Sequence, residues 1–356
     1  MRVLIAGGGT GGHLYPGIAV AEEIYRQDRS SEVLFVGTQQ GIEARILPKE
    51  GYKLETIPAG GIANKKIALK LISGVKMLRG FIRAISILRR FNPDVVIGVG
   101  GYASVPMLSA AAMLRFPTII MEQNLFPGLA NRVLSHMVKR VVVAFDGSKK
   151  YFKRNVEVFG NPVRKGIIGC PHKKTNDFVI FVFGGSQGAR TINKAVVDSL
   201  EYLKKEASTI SFLHQTGEKD LEWVKDSYKK AGISAEVKPY IYNMEEAYNK
   251  ADIVISRAGA TSIAEISACG RPAILIPYPF AAHDHQKQNA EYLKSIGSAE
   301  IILESDLTEK IIAEKITYFL YNRDKLKDMA EKSAGIYRKT AASYIVNLCR
   351  EIAGCA

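Results

Sequence analysis

The chain has 356 residues, 47% of them hydrophobic and 24% charged, and a formal net charge of +14. This is the composition of a soluble globular protein that is long enough for two domains, each with its own core. Its four cysteines include no C-x-x-C pair, which argues against a zinc site or a disulfide framework and favours a reducing cytoplasm. The positive charge indicates an anionic partner, either a nucleic acid, an acidic membrane surface or a phosphorylated substrate.

A glycine-rich loop lies near the start of the chain. The apolar run Val3–Ile5 predicts a buried strand, the spacing from Ile18 to Ile24 predicts a helix, and residues 7–13 between them read Gly-Gly-Gly-Thr-Gly-Gly-His. Such a loop can bring backbone N–H groups close to a ligand, and the helix behind it points its positive end there. We therefore expect a phosphate or diphosphate site. His13 is well placed to act as a base, although a histidine beside a glycine turn is more often structural.

The first glycine loop also satisfies the G-x-G-x-x-G pattern of dinucleotide-binding folds. That fold needs an acidic residue about 20 residues further on, at the end of the second strand, to bind the ribose. The predicted second strand, Val33–Val36, instead runs into Gly-Thr-Gln-Gln and offers no carboxylate. The nicotinamide interpretation is therefore disfavoured.

The rest of the first half alternates predicted strands and helices. The strands are expected at 33–36, 95–99, 118–121 and 141–144, and the helices at 42–49, 102–114 and 128–138. This alternation is typical of a parallel sheet covered on both faces. Ligands of such sheets bind at the carboxyl ends of the strands. The loops most suited to binding are therefore 7–13, 98–104 and 122–131.

Two stretches bear on a membrane. The uncharged run Val95–Leu114 is long enough to span a bilayer, but its glycines, Ser104 and Pro106 predict a strand, a turn and a helix start instead. Residues 62–90 hold no Asp or Glu and interleave Lys and Arg with apolar residues at spacings of three and four. That pattern is typical of a basic amphipathic helix on an anionic bilayer surface. The alternative is a core-facing helix with a basic solvated face, and no motif here favours nucleic acid.

The second half repeats the opening pattern after a polar, basic linker at 166–177. The buried run Phe178–Phe183 leads into a second glycine loop and a helix, so a second α/β domain is expected. Further on, a strand precedes Thr261 and Ser262, which offer hydroxyls and N–H groups at a helix start, and Glu265 follows one turn later. This predicts a diphosphate site with a carboxylate near the sugar hydroxyls. The sequence His-Asp-His at 283–285 lacks the further ligands that a metal site needs.

Seven short motifs, taken in order, resemble those of one family. They are Ala-Gly-Gly-Gly-Thr-Gly-Gly-His, Gly-Gly-Tyr-Ala-Ser, Glu-Gln-Asn, Pro-Gly-Leu-Ala-Asn, Gly-Asn-Pro-Val-Arg, Gly-Gly-Ser-Gln-Gly-Ala and Asp-His-Gln, at residues 6–13, 100–104, 122–124, 127–131, 160–164, 184–189 and 284–286. The chain resembles the bacterial MurG family, the peptidoglycan N-acetylglucosaminyltransferases that act on lipid I. Each motif alone is weak, but the ordered set runs from end to end and is highly specific.

The resemblance implies a glycosyltransferase B fold, an α/β protein with two Rossmann-like parallel-sheet domains facing a cleft. Residues 1–163 would form the acceptor- and membrane-binding domain, residues 164–336 would bind the UDP-sugar donor, and a helix at about 337–356 would pack back on the first domain. Such a hexosyltransferase moves N-acetylglucosamine from its UDP donor to the 4-hydroxyl of the muramoyl sugar of lipid I, giving lipid II with inversion. No metal or other cofactor is expected.

The resemblance also assigns site residues by their position in the motifs. The donor site would contain Arg164, Ser186, Gln187, Ile241, Ala260, Thr261, Ser262, Ile263, Ala264, Glu265 and Gln286. In that site the backbone of Ile241 would meet the uracil, and Thr261 and Ser262 the diphosphate. Glu265 would bind the ribose hydroxyls and Gln286 the sugar. The acceptor site would contain Thr10, Gly11, Gly12, Tyr102, Asn124 and Asn131.

The general base is expected to be His13, with Glu122 as the rival. Two departures from the family pattern bear on this site. The residue before Glu-Gln-Asn is usually His, and here it is Met121, which puts more of the catalytic role on His13. Val105 stands where a Gly is common, which narrows a loop near the acceptor.

The implied partners are UDP-N-acetylglucosamine, lipid I and an anionic membrane surface, which would be contacted through the basic region 62–90. No nucleic acid is expected, whereas cell-wall synthesis and division proteins are possible partners. The implied location is peripheral, at the cytoplasmic face of the cell membrane. Two alternatives remain: a diacylglycerol glycosyltransferase of the same architecture, and a non-catalytic membrane-surface protein that binds nucleotide sugar.

Overall fold

The chain forms two α/β units, and the computed structural model describes residues 1–60, 67–153, 155–171, 177–185 and 187–354. The first unit comprises Met1–Arg164 together with the chain from Arg338 onwards. The second unit is the continuous segment Lys165–Tyr337. The chain therefore starts in the first unit, builds the second, and returns to the first.

The described part of the first unit contains a seven-stranded sheet whose neighbouring strands are all parallel. Its strands are β1 (Arg2–Gly7), β2 (Glu32–Gly37), β3 (Lys53–Thr56), β4 (Val95–Gly100), β5 (Thr118–Glu122), β6 (Arg140–Val143) and β7 (Val156–Val158). The spatial order is β3-β2-β1-β4-β5-β6-β7. The sheet therefore grows in one direction from β1 and in the other from β4.

Helices cover both faces of this sheet. They are α1 (Gly11–Gln27), α2 (Glu43–Ile46), α3 (Ile67–Phe91), α4 (Ser104–Met113) and α5 (Leu129–Leu134). In β1, Val3 and Ile5 pack in the core on the α1 side, whereas Leu4 and Ala6 pack on the side of α3 and α4. Because alternate side chains of a strand point to opposite faces, a strand buried on both faces needs a continuous apolar run.

The second unit is built in the same way. Its strands are β8 (Phe178–Phe183), β9 (Ile210–Gln215), β10 (Ser234–Lys238), β11 (Ile253–Ser256), β12 (Ala273–Leu275) and β13 (Ala299–Ile301). They form a six-stranded parallel sheet in the order β10-β9-β8-β11-β12-β13 among the described residues. Its helices are α6 (Arg190–Ser199), α7 (Leu221–Ala231), α8 (Met244–Lys250), α9 (Ala260–Ala268), α10 (His285–Ser295), α11 (Glu309–Tyr321) and α12 (Arg323–Ile336).

The final helix, α13 (Ala341–Ala353), belongs to the first unit. Ile345, Val346 and Ile352 are buried in the same core cluster as the α1 face of the first sheet. The hydroxyl of Ser343 donates a hydrogen bond of 2.8 Å to Glu23 on α1. Residues from the end of the sequence therefore complete a core that begins with β1.

The structure confirms the predicted α/β class and most of the predicted strands. The segment Val95–Leu114 forms β4, a turn and α4, and no helix within the described ranges is long and apolar enough to cross a bilayer. Five of the described strands were not predicted from the sequence: the edge strands β3, β7, β10 and β13 and the inner strand β9. Of these, β3 and β10 are rich in charged residues, as edge strands often are, so they lack a hydrophobic run to mark them.

No disulfide framework was expected, but the structure contains a disulfide bond that the sequence did not reveal. Cys170 and Cys269 are joined by a disulfide bond at a sequence separation of 99. A bond between such distant residues leaves no spacing pattern to read. Beside it, the N–H of Gly169 donates to the carbonyl of Ala268 at the end of α9, over 2.9 Å. The described residues 166–171 of the predicted linker therefore pack on the second unit.

Candidate functional site

Each sheet reverses its direction of growth at one point, between β1 and β4 in the first unit and between β8 and β11 in the second. In open α/β sheets, ligands bind outside the carboxyl ends of the strands at such points. The first glycine loop follows β1, and the 259–265 segment follows β11. The fold therefore brings the loops that the sequence singled out to the expected edge of each sheet.

The first glycine loop uses part of its backbone internally. The N–H of Gly8 donates to the carbonyl of Gly100 over 3.2 Å, and the N–H of Gly9 donates to a carboxylate oxygen of Glu43 over 2.6 Å. These two N–H groups are thus already paired within the protein and cannot serve the phosphate site expected at this loop. The remaining candidate for that site is the N-terminus of α1, at Thr10, Gly11 and Gly12, whose first turn contains no acidic residue.

Glu43 is a buried carboxylate that the sequence analysis missed. Its exposed fraction is 0%, and besides Gly9 it accepts hydrogen bonds from the backbone N–H and the hydroxyl of Thr38, at 2.7 and 2.9 Å. It therefore holds the loop after β1 against the loop after β2. In the sequence it reads as an ordinary helical glutamate, because nothing local shows which loops the sheet order brings together.

His13 lies in the first turn of α1, half-buried against β4. Its ring packs on Gly100, where an added Cβ would lie only 2.5 Å from Nδ1. That Nδ1 lies 3.3 Å from Oε1 of Gln123, and Nε2 of Gln123 donates to the carbonyl of Val99 over 3.0 Å. Gln123 belongs to the Glu-Gln-Asn motif, but the sequence analysis gave it no role.

Glu122 organises the loop that follows β5. It is 3% exposed, and its Oε1 accepts hydrogen bonds from the backbone N–H and the side-chain amide of Asn124, at 3.0 and 3.1 Å. Its Oε2 accepts from the N–H of Gly128 at 3.0 Å and from the side-chain amide of Asn131 at 2.9 Å. Each carboxylate oxygen thus accepts two hydrogen bonds. The structure brings Asn124 and Asn131 together, but on this carboxylate.

The other first-unit residues lie in different surroundings. Tyr102 is 60% exposed in the loop after β4, and the guanidinium of Arg164 lies 4.1 Å from the ring centroid of Tyr15 on α1. Arg164, assigned to the donor site by resemblance, therefore groups with the first unit. Met121 is buried in the core on the α1 side, and Val105 packs against the other core cluster. Both departures from the family pattern are accommodated as apolar packing.

In the second unit, α9 presents its N-terminus after β11. Gly259 is the N-cap, and the first turn contains no acidic residue, so the positive end of the helix is not offset. Thr261 is 7% exposed and Ser262 is half-buried. Glu265 is 5% exposed and accepts a hydrogen bond of 3.2 Å from the hydroxyl of Tyr248 on α8. The side chains of the remaining assigned α9 residues are buried: Ala260, Ile263 and Ala264.

Gln215, at the end of β9, links two segments of the second unit. Its Nε2 donates to the carbonyl of Gly185 in the second glycine loop over 2.9 Å, and its Oε1 accepts from the N–H of Ile241 over 2.8 Å. The backbone N–H of Ile241 is therefore already paired, so only its carbonyl could accept a hydrogen bond from the expected uracil. Gln187 is exposed in the glycine loop. Ser186, also assigned to this site, lies outside the described residues.

The segment before α10 is conformationally strained. His283 and Asp284 both have φ of +53°, a left-handed conformation that is costly for residues other than glycine. Just after it, Oε1 of Gln286 accepts a hydrogen bond of 3.0 Å from the N–H of Tyr278. In the described part of the chain, no group of three or more His, Cys, Asp or Glu side chains is arranged to hold a metal ion.

Both halves of the chain match domain models of one class of enzyme. The glycosyltransferase family 28 N-terminal domain matches residues 3–143, and the glycosyltransferase family 28 C-terminal domain matches residues 179–346. Two parallel-sheet units with ligand sites at their switch points are the architecture of this class, so the fold and the site define a two-domain glycosyltransferase.

Full-length relatives narrow the class to one family. The chain is 47% identical to the UDP-N-acetylglucosamine–N-acetylmuramyl-(pentapeptide) pyrophosphoryl-undecaprenol N-acetylglucosamine transferase of Syntrophus aciditrophicus over 98% of each chain, and 45% identical to that of Geobacter metallireducens over 98% and 97%. The crystal structure of Acinetobacter baumannii MurG matches with a TM-score of 0.77 at 29% identity, over 98% of this chain and 99% of that one. This chain belongs to the MurG family.

Replacing Glu122 by Ala should loosen the loop after β5. Four hydrogen-bond donors would lose their acceptor, so we expect the free energy of unfolding of the first unit to fall by about 3 kcal/mol or more. Hydrogen exchange measured by mass spectrometry should quicken across residues 122–131. The control is Asp146→Ala, whose carboxylate is 79% exposed and should change stability by less than about 0.5 kcal/mol. Unchanged exchange in Glu122→Ala would contradict this role.

Proposed function

We propose that this protein transfers N-acetylglucosamine from UDP-N-acetylglucosamine to the 4-hydroxyl of the N-acetylmuramoyl sugar of lipid I, giving lipid II for peptidoglycan synthesis. The observation that carries the proposal is the 47% identity, over 98% of the chain, to a transferase named for this donor and acceptor. The geometry supports it. Each unit presents a helix N-terminus whose first turn contains no acidic residue, and both substrates carry a diphosphate.

We assign the donor to the second unit. The N-terminus of α9, with the hydroxyls of Thr261 and Ser262, would receive the diphosphate of UDP. Glu265 would accept hydrogen bonds from the ribose hydroxyls while Tyr248 holds it from the other side. The carbonyl of Ile241 would accept from the uracil ring, because Gln215 has taken its N–H. Gln286 would contact the sugar.

We assign the acceptor to the first unit. Its diphosphate would bind at the N-terminus of α1, where Thr10, Gly11 and Gly12 precede His13. Glu43 fixes the preceding glycines and Glu122 fixes the loop that carries Asn124 and Asn131. Both buried carboxylates are fully engaged with the protein, so they shape the site without having to meet the anionic acceptor.

The reaction forms one bond and breaks one. The 4-oxygen of the acceptor bonds to the anomeric carbon, the bond from that carbon to the β-phosphate oxygen breaks, and its electron pair leaves on UDP. Attack opposite the leaving group inverts the anomeric carbon. We choose His13 as the base that takes the hydroxyl proton, because its Nε2 makes no hydrogen bond within the described ranges. Both oxygens of Glu122 are already doubly occupied.

We further propose that the leaving group needs no metal. The negative charge that develops on UDP would be stabilised by the oriented N–H groups at the start of α9 and by the helix dipole. This assignment uses only groups that the second unit already presents at the end of β11.

The proposal is tested by transfer of labelled N-acetylglucosamine to a lipid I analogue, with a chelator present and a diacylglycerol acceptor in parallel. We expect a lipid II-type disaccharide product only with the first acceptor. Product only with diacylglycerol would favour the other glycosyltransferase, and saturable UDP-sugar binding without any product would favour a non-catalytic protein. Loss of product on chelation would overturn the metal-free step alone.

Replacing His13 by Ala should lower kcat by about 10² to 10⁴-fold, the usual contribution of a general base. The affinity for UDP should not change, because the donor groups lie in the second unit. Initial rates and titration calorimetry measure the two quantities separately. His136→Ala is the control, since His136 is an exposed histidine of the same unit. Unchanged turnover in His13→Ala would make His13 structural and return Glu122 as the candidate base.

We also propose that α3 docks on the anionic, cytoplasmic face of the membrane. On its inner side, Ala84, Ile87 and Leu88 are buried in the core. On its opposite side Val75, Leu78 and Ile82 are 52%, 62% and 61% exposed, at helical spacings that place them in one stripe. Part of the predicted region, residues 62–66, lies outside the described residues. An apolar stripe facing solvent is what an interfacial helix inserts into a bilayer.

Basic side chains flank this stripe. Lys76, Arg79 and Arg83 are exposed beside it, whereas Arg90 forms an ion pair with Glu55. Charges beside an apolar stripe add electrostatic attraction to acidic lipids, about 1 kcal/mol for each basic residue near the surface. Both interpretations of the sequence can therefore hold together in this proposal, because α3 packs on the core with one face and keeps a second apolar face exposed.

Reversing Lys76, Arg79 and Arg83 to Glu should weaken binding to vesicles of acidic phospholipid by about a hundredfold or more at low salt. The control reverses Lys225, Lys229 and Lys230 of the second unit, which are also exposed and change the net charge equally. Co-sedimentation at several salt concentrations measures both. Equal loss in the two triple variants would show a response to net charge only and would contradict docking through α3.

A further inference from the structure

We infer that Gln123 is a positioning residue for the transfer reaction, because it fixes the tautomer of His13 and leaves Nε2 of that ring as the base. The inference rests on the proposed function and deepens it. It assigns a role to a buried residue, 2% exposed, that lies between the end of β5 and the ring of His13.

The orientation of the Gln123 amide follows from one contact. One of the two terminal atoms of the amide lies 3.0 Å from the carbonyl oxygen of Val99 on β4. A backbone carbonyl can only accept, so the amide must turn its nitrogen to Val99. The amide oxygen is then the atom that faces the imidazole, 3.3 Å from Nδ1. β4 therefore decides which end of Gln123 meets His13.

The tautomer of His13 follows from that orientation. An amide oxygen can only accept a hydrogen bond, so Nδ1 of a paired imidazole must carry the proton. A neutral ring has one proton on its two nitrogens, which leaves the lone pair on Nε2. Only a nitrogen with a lone pair can take the hydroxyl proton of an acceptor. The opposite tautomer would present an N–H to the acceptor and could not act as a base.

The same strand also fixes the position of the ring. Gly100 follows Val99 and packs against the Nδ1 edge, with a positive φ of +97°. The hydroxyl of Ser104 accepts a hydrogen bond of 3.1 Å from the N–H of Gly100, which secures this turn. Val99 and Gly100, which are adjacent in β4, thus hold the amide of Gln123 and the ring of His13 at fixed relative positions.

In the transfer step Nε2 takes the proton from the acceptor hydroxyl while Nδ1 keeps its own, so His13 becomes an imidazolium. The hydrogen bond from Nδ1–H to the Gln123 oxygen then has a charged donor and becomes stronger. Gln123 would therefore stabilise the product of proton transfer as well as the reactive tautomer.

The tautomer can be measured without any activity. In ¹⁵N spectra of the uniformly labelled protein at a pH where His13 is neutral, we expect a protonated Nδ1 and an unprotonated Nε2. The His13→Ala variant identifies the signals. A protonated Nε2 in the neutral ring would overturn the inference, even if the enzyme transfers as proposed.

The kinetic test is a double-mutant cycle. Gln123→Leu should lower kcat by about 10- to 100-fold, less than the loss in His13→Ala, and leave the KM for the UDP donor unchanged. In the His13→Ala background, Gln123→Leu should have no further effect on kcat, because its action passes through the ring. Gln123→Glu keeps an acceptor for Nδ1 but loses the donor to the carbonyl of Val99, so its kcat should fall less than that of Gln123→Leu without reaching the wild-type value. Additive losses of Gln123→Leu and His13→Ala would show a structural role instead.

Gln215→Leu is the matched control. Gln215 is also a buried glutamine, 3% exposed, that bridges a backbone carbonyl and a second group, but it lies in the second unit. Its loss should raise the donor KM equally with and without His13, and leave the His13 spectrum unchanged. Absence of lipid I transfer by the wild type would reject the proposed function, whereas transfer with additive kinetics would reject only the role of Gln123.

Discussion

The first unit depends on the close approach of two glycines, Gly7 at the end of β1 and Gly100 at the end of β4. The register of the two strands shifts at this point, and a Cβ on Gly7 would lie 2.2 Å from the carbonyl oxygen of Gly100. Because no side chain separates them, the loop after β1 can turn over the end of β4 and start α1 there. The same approach leaves room for the ring of His13 beside Gly100. Both the turn at the sheet switch point and the position of the imidazole therefore require glycine, without a side chain, at this place.

Buried carboxylates shape the loops around these switch points. Glu43, Glu122 and Glu265 are 0%, 3% and 5% exposed, and each accepts hydrogen bonds from neighbouring groups of its own unit. A buried carboxylate is tolerated when donors of the protein pair with it. In return, it holds flexible glycine and asparagine segments in one conformation. Anionic ligands can then be bound by helix N-termini, which need only fixed geometry and no cationic side chain.

The fold could be predicted from the sequence because hydrophobic runs and glycine loops are local signals. The strand Phe178–Phe183 and the helix start at Thr261 could be read directly from neighbouring residues. The roles of Glu43 and Gln123 could not, since they depend on which loops the strand order brings side by side. Glu122 shows the same limit: the sequence offers an acid after a strand, and only the structure shows its two oxygens occupied by Asn124, Gly128 and Asn131.

The position of α13 has a consequence for how the protein is made. The second unit is one continuous segment, so it can fold as soon as it has left the ribosome. The first unit begins with β1, which is synthesised before the second unit, yet its core lacks Ile345, Val346 and Ile352 until synthesis has passed the second unit. N-terminal domains generally fold first during synthesis. Here the first unit can complete its core only after the second unit has been made. A premature stop codon just before α13 would leave the second unit whole and an apolar groove open along α1, a surface that chaperones and proteases recognise.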